Sequence, residues 1–168
     1  CDGEGQGGPL NLAEARRLLG LTAEQGYATA QYHLGSMHRG GQGGPLNLAE
    51  ARRLFGLAAA QGHADAQYTL GRMHRYGKGG PEDCVEARRL LGLAAAQGHD
   101  DAQYNLGHMH WFQACEGGPV DLAEARRLFG LAAAQGNAGG QYMLGHMHYQ
   151  GEGGPVSYTH LTLPTTAI

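Results

Sequence analysis

The sequence predicts an all-α solenoid of four stacked helix-pair repeats, and three observations carry that expectation. The tripeptide Gly-Gly-Pro ends at Pro9, Pro45, Pro81, Pro119 and Pro155, at intervals of 36, 36, 38 and 36 residues. Between these marks two segments return almost unchanged, one containing EARRLLGL or EARRLFGL and ending in QG, the other containing QY-x-L-G-x-M-H. Of the 30 glycines in 168 residues, 26 fall at equivalent positions, so glycine punctuates a repeat rather than loosening a linker.

Each repeat reads as two helices. Asn11, Asn47, Asp83 and Asp121 are good N-caps for the first, and Glu14, Glu50, Glu86 and Glu124 follow three residues later as a capping box. A proline two residues before each cap suits a helix entry. In the second repeat Leu48, Ala51, Leu54, Phe55 and Ala58 form one apolar stripe at helical spacing. Gly26, Gly62, Gly98 and Gly136 stop the first helix as C′ glycines. The second helix begins near His63 or Asn137, turns Ala66, Leu70 and Met73 inward, and runs out at the Gly-x-Gly-Gly-Pro loop. The expected boundaries are 1–8 for the end of a preceding repeat, then 9–44, 45–80, 81–118 and 119–154 for the four units. A lone helix pair cannot bury its apolar face, so neighbouring pairs must supply the core.

Composition narrows the function classes. Hydrophobic residues make up 42% and charged residues 16%, with net charge −3, which fits a globular chain better than a disordered one. No apolar run approaches the ~18 residues that a membrane helix needs. Twelve basic residues against fifteen acidic ones generate no general attraction for nucleic acid. Neither a nucleic acid nor a membrane is expected as partner. Three cysteines, an odd number, make no disulfide framework by themselves.

The pattern A-x-x-x-x-x-L-A-x-x-Q-G, then A-Q-Y-x-L-G-x-M-H, then G-x-G-G-P resembles the Sel1-like repeat, a relative of the tetratricopeptide repeat with a longer glycine-containing connection. The resemblance covers Pro9 to Gly154. It implies a superhelix whose first helices line a concave surface, and a non-catalytic scaffold that binds other proteins. The chain departs from the pattern in places. His38, His74, His110 and His148 stand where an aromatic is usual near the end of the second helix. The third unit carries a two-residue insertion within Trp111–Ala114, and Cys115 replaces a glycine.

After Pro155 the repeat stops, and VSYTHLTLPTTAI contains no glycine and no charged residue. That string resembles one reading frame of a transposase-type sequencing adapter, so 155–168 is expected to be a non-native tail. With a start at Cys1, the chain reads as an internal fragment, and further repeats are expected in the intact protein. Uncapped ends would expose apolar faces prone to fraying or self-association.

Histidine is the most tempting chemistry. His108/His110 and His146/His148 are two residues apart, and on a helix such residues point roughly 200° away from each other, so neither pair can chelate a metal. Repeat-equivalent histidines on stacked helices would stand ~8–10 Å apart, too far for zinc bonds of ~2.1 Å. A half-buried imidazole near a helix C-terminus is the expected role. Gly77-Lys78-Gly79 lacks the preceding strand and the Ser/Thr of a phosphate loop. Cys84 stands where other units have leucine, as a small core residue would, although Cys115 closes the same unit and could approach it. Only Ser36 and Ser157 are serines, and the carboxylates are committed to caps and to i,i+3 pairs such as Glu50–Arg53 and Glu86–Arg89. No catalytic constellation is expected, and no cofactor or metal.

The first-helix face turned away from the apolar stripe carries Ala49, Arg53, Gly56, Leu57 and Ala60 in the second repeat. Its counterparts are Arg17, Gly20 and Leu21; Arg89, Gly92 and Leu93; Arg127, Gly130 and Leu131. A mid-helix glycine costs ~1 kcal/mol relative to alanine, so four at one position want a packing or contact reason. Placed on the concave surface implied by the resemblance, Arg17, Leu21, Arg53, Leu57, Arg89, Leu93, Arg127 and Leu131 would form a shallow groove, apolar along its floor with cationic edges. The expected partner is a protein or peptide segment with apolar anchors and acidic residues. Two other readings stay open: a regulatory repeat arm of a larger enzyme or signalling protein, and a histidine-based metal binder. On the bland alternative Leu57 packs against an adjacent repeat, and Arg53 is a solvated charge paired with Glu50.

Overall fold

The computed structural model of the chain describes residues 11–112 and 120–152. The expectations placed on 1–8, on Cys115 and on 155–168 fall outside these residues. The described residues hold eight α-helices and no strand. They are α1 (Leu12–Glu24), α2 (Ala28–Gly40), α3 (Leu48–Ala60), α4 (Ala64–Arg75), α5 (Cys84–Ala96), α6 (Asp100–Trp111), α7 (Leu122–Ala134) and α8 (Ala138–Gln150).

The local chemistry follows the capping pattern. Asn11, Asn47, Asp83 and Asp121 each accept the backbone N–H of the glutamate three residues on, at 2.9–3.0 Å. At the second helices the side chains of His63 and Asn137 accept the N–H of Ala66 and Gly140. The α1, α3, α5 and α7 helices are followed by a left-handed glycine, with φ between 87° and 91° at Gly26, Gly62, Gly98 and Gly136.

Contacts group the chain into two compact units that divide between Ala102 and Gln103, within α6. In the first unit α2 packs on both α1 and α3, and α4 on both α3 and α5. Its core is Ala51, Phe55, Ala58, Ala66, Leu70 and Met73, the residues of the sequence stripes, with Leu54 and Leu90 beside them. Leu48 lies at the margin, only partly buried. In the second unit Phe129, Ala125, Met143 and Met147 pack with Tyr104 and Trp111.

The glycine of the second helix is what lets that helix approach the first helix of the following repeat. A methyl group on Gly35 would stand 2.9 Å from Phe55 Cε1, and one on Gly71 would stand 3.0 Å from Leu91 Cγ. The connecting loop is as tightly specified. A side chain on Gly43, whose φ is +67°, would strike the Leu12 carbonyl oxygen, and one on Gly44 would strike the Arg16 guanidinium.

Candidate functional site

Two polar ladders hold the repeats in register, and both lie beyond what the sequence reading assigned. In three of the four Arg-Arg pairs the first arginine, Arg16, Arg52 or Arg126, turns toward the loop. Arg16 donates through Nη2 to His38 Nδ1 at 2.6 Å and also to the carbonyl of Pro45; Arg52 donates through Nη2 to His74 Nδ1 at 2.7 Å and through Nη1 to the carbonyl of Pro81. Arg126 donates to His148 Nδ1 at 2.9 Å. The imidazole that replaces the family's aromatic is therefore a hydrogen-bond acceptor for a loop-holding arginine. Burial, followed by the neighbouring Arg16 or Arg52 charge, pushes His38 and His74 below the ordinary imidazole value.

The second ladder is built of glutamines. Gln31 and Gln67 are buried and donate to the carbonyls of Ala23 and Ala59, while accepting from Gln61 and Gln97 at 2.8 and 2.7 Å. Gln135 donates likewise to Gln103. The recurring AQG and AQY tripeptides were the visible signal for this ladder. Amides at fixed offsets in an otherwise apolar stripe ask for partners.

The second arginine of each pair is the one placed on the proposed groove. Arg17, Arg53, Arg89 and Arg127 are exposed, and each donates Nε and Nη2 to the two oxygens of the glutamate one turn earlier, at 2.7–2.9 Å. These bonds hold Glu14, Glu50, Glu86 and Glu124 below the usual carboxylate range. Leu21, Leu57, Leu93 and Leu131 are exposed at 47, 41, 42 and 41%, unlike their buried neighbours Leu54, Leu90 and Leu128.

In the first unit Arg53 and Leu57, with Glu50, and Arg89 and Leu93, with Glu86, border two hollows of about 330 Å³ each. One is lined by Gly20, Gln31, Leu34, Arg53, Leu54 and Leu57. The other is lined by Gly56, Gln67, Leu70, Arg89, Leu90 and Leu93, each the residue 36 positions on. The mid-helix glycines face open space. A methyl group on Gly20, Gly56, Gly92 or Gly130 would meet nothing within 4 Å, so packing inside the protein does not account for them.

The remaining candidates have local roles. His63 and His99 cap helices and stack near Tyr32 and Tyr68, and His99 Nε2 lies 3.2 Å from Asp65. His108 sits among Tyr104, Phe112 and Phe129. No group of three histidine, cysteine or acidic side chains among the described residues is gathered as a metal site would be. Cys84, read as a small core residue, is instead half-buried and disulfide-bonded.

An array of capped helix pairs, joined by side-chain ladders and carrying repeat-equivalent hollows, defines the class of all-α repeat solenoids. The Sel1 repeat family model matches residues 1–27, 28–63, 64–99, 100–137 and 138–160, and the chain belongs to that family. In this frame each matched unit from 28 onward starts with the second helix of a pair. Members generally act as non-catalytic scaffolds for protein binding. A crystal structure of a Sel1 repeat protein from Oxalobacter formigenes is 36% identical, with TM-score 0.78, over 88% of this chain and 42% of that one. A protective antigen of uropathogenic Escherichia coli strains, displaying an SLR fold, is 37% identical with TM-score 0.78 over 82% of this chain. This chain spans 29% of that antigen's length. A search of curated proteins returned no match.

Proposed function

We propose that the chain is a protein-interaction scaffold that receives a partner segment on the face of its first helices. The observation that carries this reading is the pair of hollows with matching linings 36 residues apart, each floored by a helix glycine with no neighbour. A helix gives up stability at such a glycine, and an incoming backbone or side chain would use the space it leaves. Leu21, Leu57, Leu93 and Leu131 supply apolar contact. Arg17, Arg53, Arg89 and Arg127 engage glutamate through Nε and Nη2, which leaves Nη1 to meet acidic groups on the partner. The fitting partner is an extended or helical segment with apolar anchors at repeat spacing and acidic residues beside them.

Two experiments bear on this. Reversing Arg17, Arg53, Arg89 and Arg127 together to glutamate should abolish partner capture in a pull-down while circular dichroism stays unchanged. Retained capture would remove the groove from consideration. Replacing Gly20, Gly56, Gly92 and Gly130 with alanine should raise the melting temperature and at the same time weaken partner binding. Stabilisation with binding intact would mean the glycines serve no ligand.

A further inference from the structure

A different cavity, of about 500 Å³, lies in the first unit at the ends of α2 and α4 and the loops that follow them. Three cations line it: Arg39 from α2, Arg72 from α4 and Lys78 from the α4–α5 loop. No carboxylate lines it, and none of the three cations has an ion pair among the described residues. The groove arginines, by contrast, are all paired. Glu82, the nearest loop carboxylate in sequence, has its Oε1 3.6 Å from Cys84 Sγ.

Both arginines are held against aromatic rings. The Arg72 guanidinium lies 5.6 Å from the Tyr68 ring centroid and donates to Tyr68 Oη at 3.3 Å. Arg39 lies 5.7 Å from the ring centroid of Phe55. The main chain at Lys78 is fixed by its N–H, which donates to the Met73 carbonyl at 2.9 Å, between left-handed glycines at 77 and 79, and its side chain is exposed. Leu46, Leu48, Met73 and the exposed ring of Tyr76, over which the Arg75 guanidinium lies at 5.3 Å, add apolar surface to the lining.

The repeat itself shows that the fold does not demand this set. The position of Arg72 is Ser36 in the first repeat and His146 in the fourth; that of Lys78 is Gln42 and Glu152; that of Tyr76 is Gly40 and Gln150. Tyr68 and Met73, which serve packing, recur as Tyr32 and Met37 and as Tyr142 and Met147. Arg39, from the first repeat, recurs as Arg75, whereas the Arg72 and Lys78 positions carry an arginine or lysine in the second repeat only. An extended polypeptide would be met by recurring positions, whereas a single cavity of this size matches a small molecule, whose sites run roughly 300–1,000 Å³. Three exposed cations lining one cavity that no carboxylate lines suit a dianion.

We propose that this cavity binds a small aryl phosphate monoester. Arg39, Arg72 and Lys78 hold the phosphate, and the ring lies against Tyr76, Leu46 and Met73.

Isothermal titration of the full chain with 1-naphthyl phosphate, inorganic phosphate and 1-naphthol tests it. The expected result is saturable one-to-one binding of naphthyl phosphate, at least tenfold tighter than either other probe. Arg72→Ser with Lys78→Gln installs the first repeat's own residues, so the helices should persist by circular dichroism while affinity falls at least tenfold; Lys78→Gln alone should weaken binding by a smaller factor. Absence of saturable binding, or equal affinity in the double variant, overturns the proposal. So does a phosphotyrosine peptide that binds more than tenfold tighter than the free aryl phosphate, because the occupant would then be a polypeptide.

Discussion

His38 and His74 accept hydrogen bonds from arginine at Nδ1, and an imidazolium has no lone pair to offer there. The fold therefore prefers the neutral ring, and both side chains lie below their ordinary value of 6.5. With a depressed folded value, the unfolded chain binds more protons just below pH 6.5. Stability is then complete above that pH and declines as pH falls through it toward the folded value. Glu50, Glu86 and Glu124 are also depressed, chiefly by their arginine bonds, so their contribution is present above the ordinary 4.5 and is lost below it. Urea midpoints measured from pH 8 to pH 3 should fall in two stages. The variant His38→Phe with His74→Phe should lose the upper stage and keep the lower; an unchanged profile would refute the assignment. Arg52→Met removes bonds to His74 and Pro81 from a part-buried position and should cost about 1–3 kcal/mol in urea denaturation.

Within a helix, glycines of equal recurrence do opposite things. Gly35 and Gly71 let neighbouring helices close on Phe55 and Leu91, whereas Gly20 and Gly56 touch nothing. Gly71→Ala should destabilise by about 1–3 kcal/mol, because its methyl group meets Leu91 and the Ala87 carbonyl at 3.0–3.3 Å. Gly56→Ala should stabilise by about 1 kcal/mol through helix propensity alone. Paired thermal melts with opposite signs would check both. Sequence periodicity could place these glycines but could not separate the two kinds, because that needs the distance to the next helix. The N-cap residues were legible, since each accepts from a residue three on. The reciprocal half of the capping box does not form: Glu50 and Glu86 accept from Arg53 and Arg89, and the N–H groups of Asn47 and Asp83 donate to the His38 and His74 carbonyls. The Arg16–His38 bond spans 22 residues, and only the folded loop brings its partners together.

Across the molecule, the fold class was legible from spacing, because each repeat restates the same helix pair, and the family from the resemblance of its motifs. The cavity at Arg39, Arg72 and Lys78 was not. Lys78 was weighed against a phosphate-loop pattern that it fails, and nothing in the linear order joins it to Arg39. Burial is also uneven in the first unit. Among its helical residues α1 buries only Ala23, while α3 buries Ala51, Leu54, Phe55, Ala58 and Ala59. Amide hydrogen exchange should therefore release α1 well before α3, through local opening rather than global unfolding. Equal protection factors in the two helices would contradict this.

The glutamine ladder gives every junction a polarity. Gln61 donates backward to Gln31, Gln97 donates backward to Gln67, and each acceptor is itself a donor to the helix before it. A 36-residue cassette cut between Gly62 and His63 would thus present the same acceptor at one end and the same donor at the other. Duplicated in tandem, it would find matching chemistry on both sides, and the array could be lengthened one cassette at a time without redesigning a single joint.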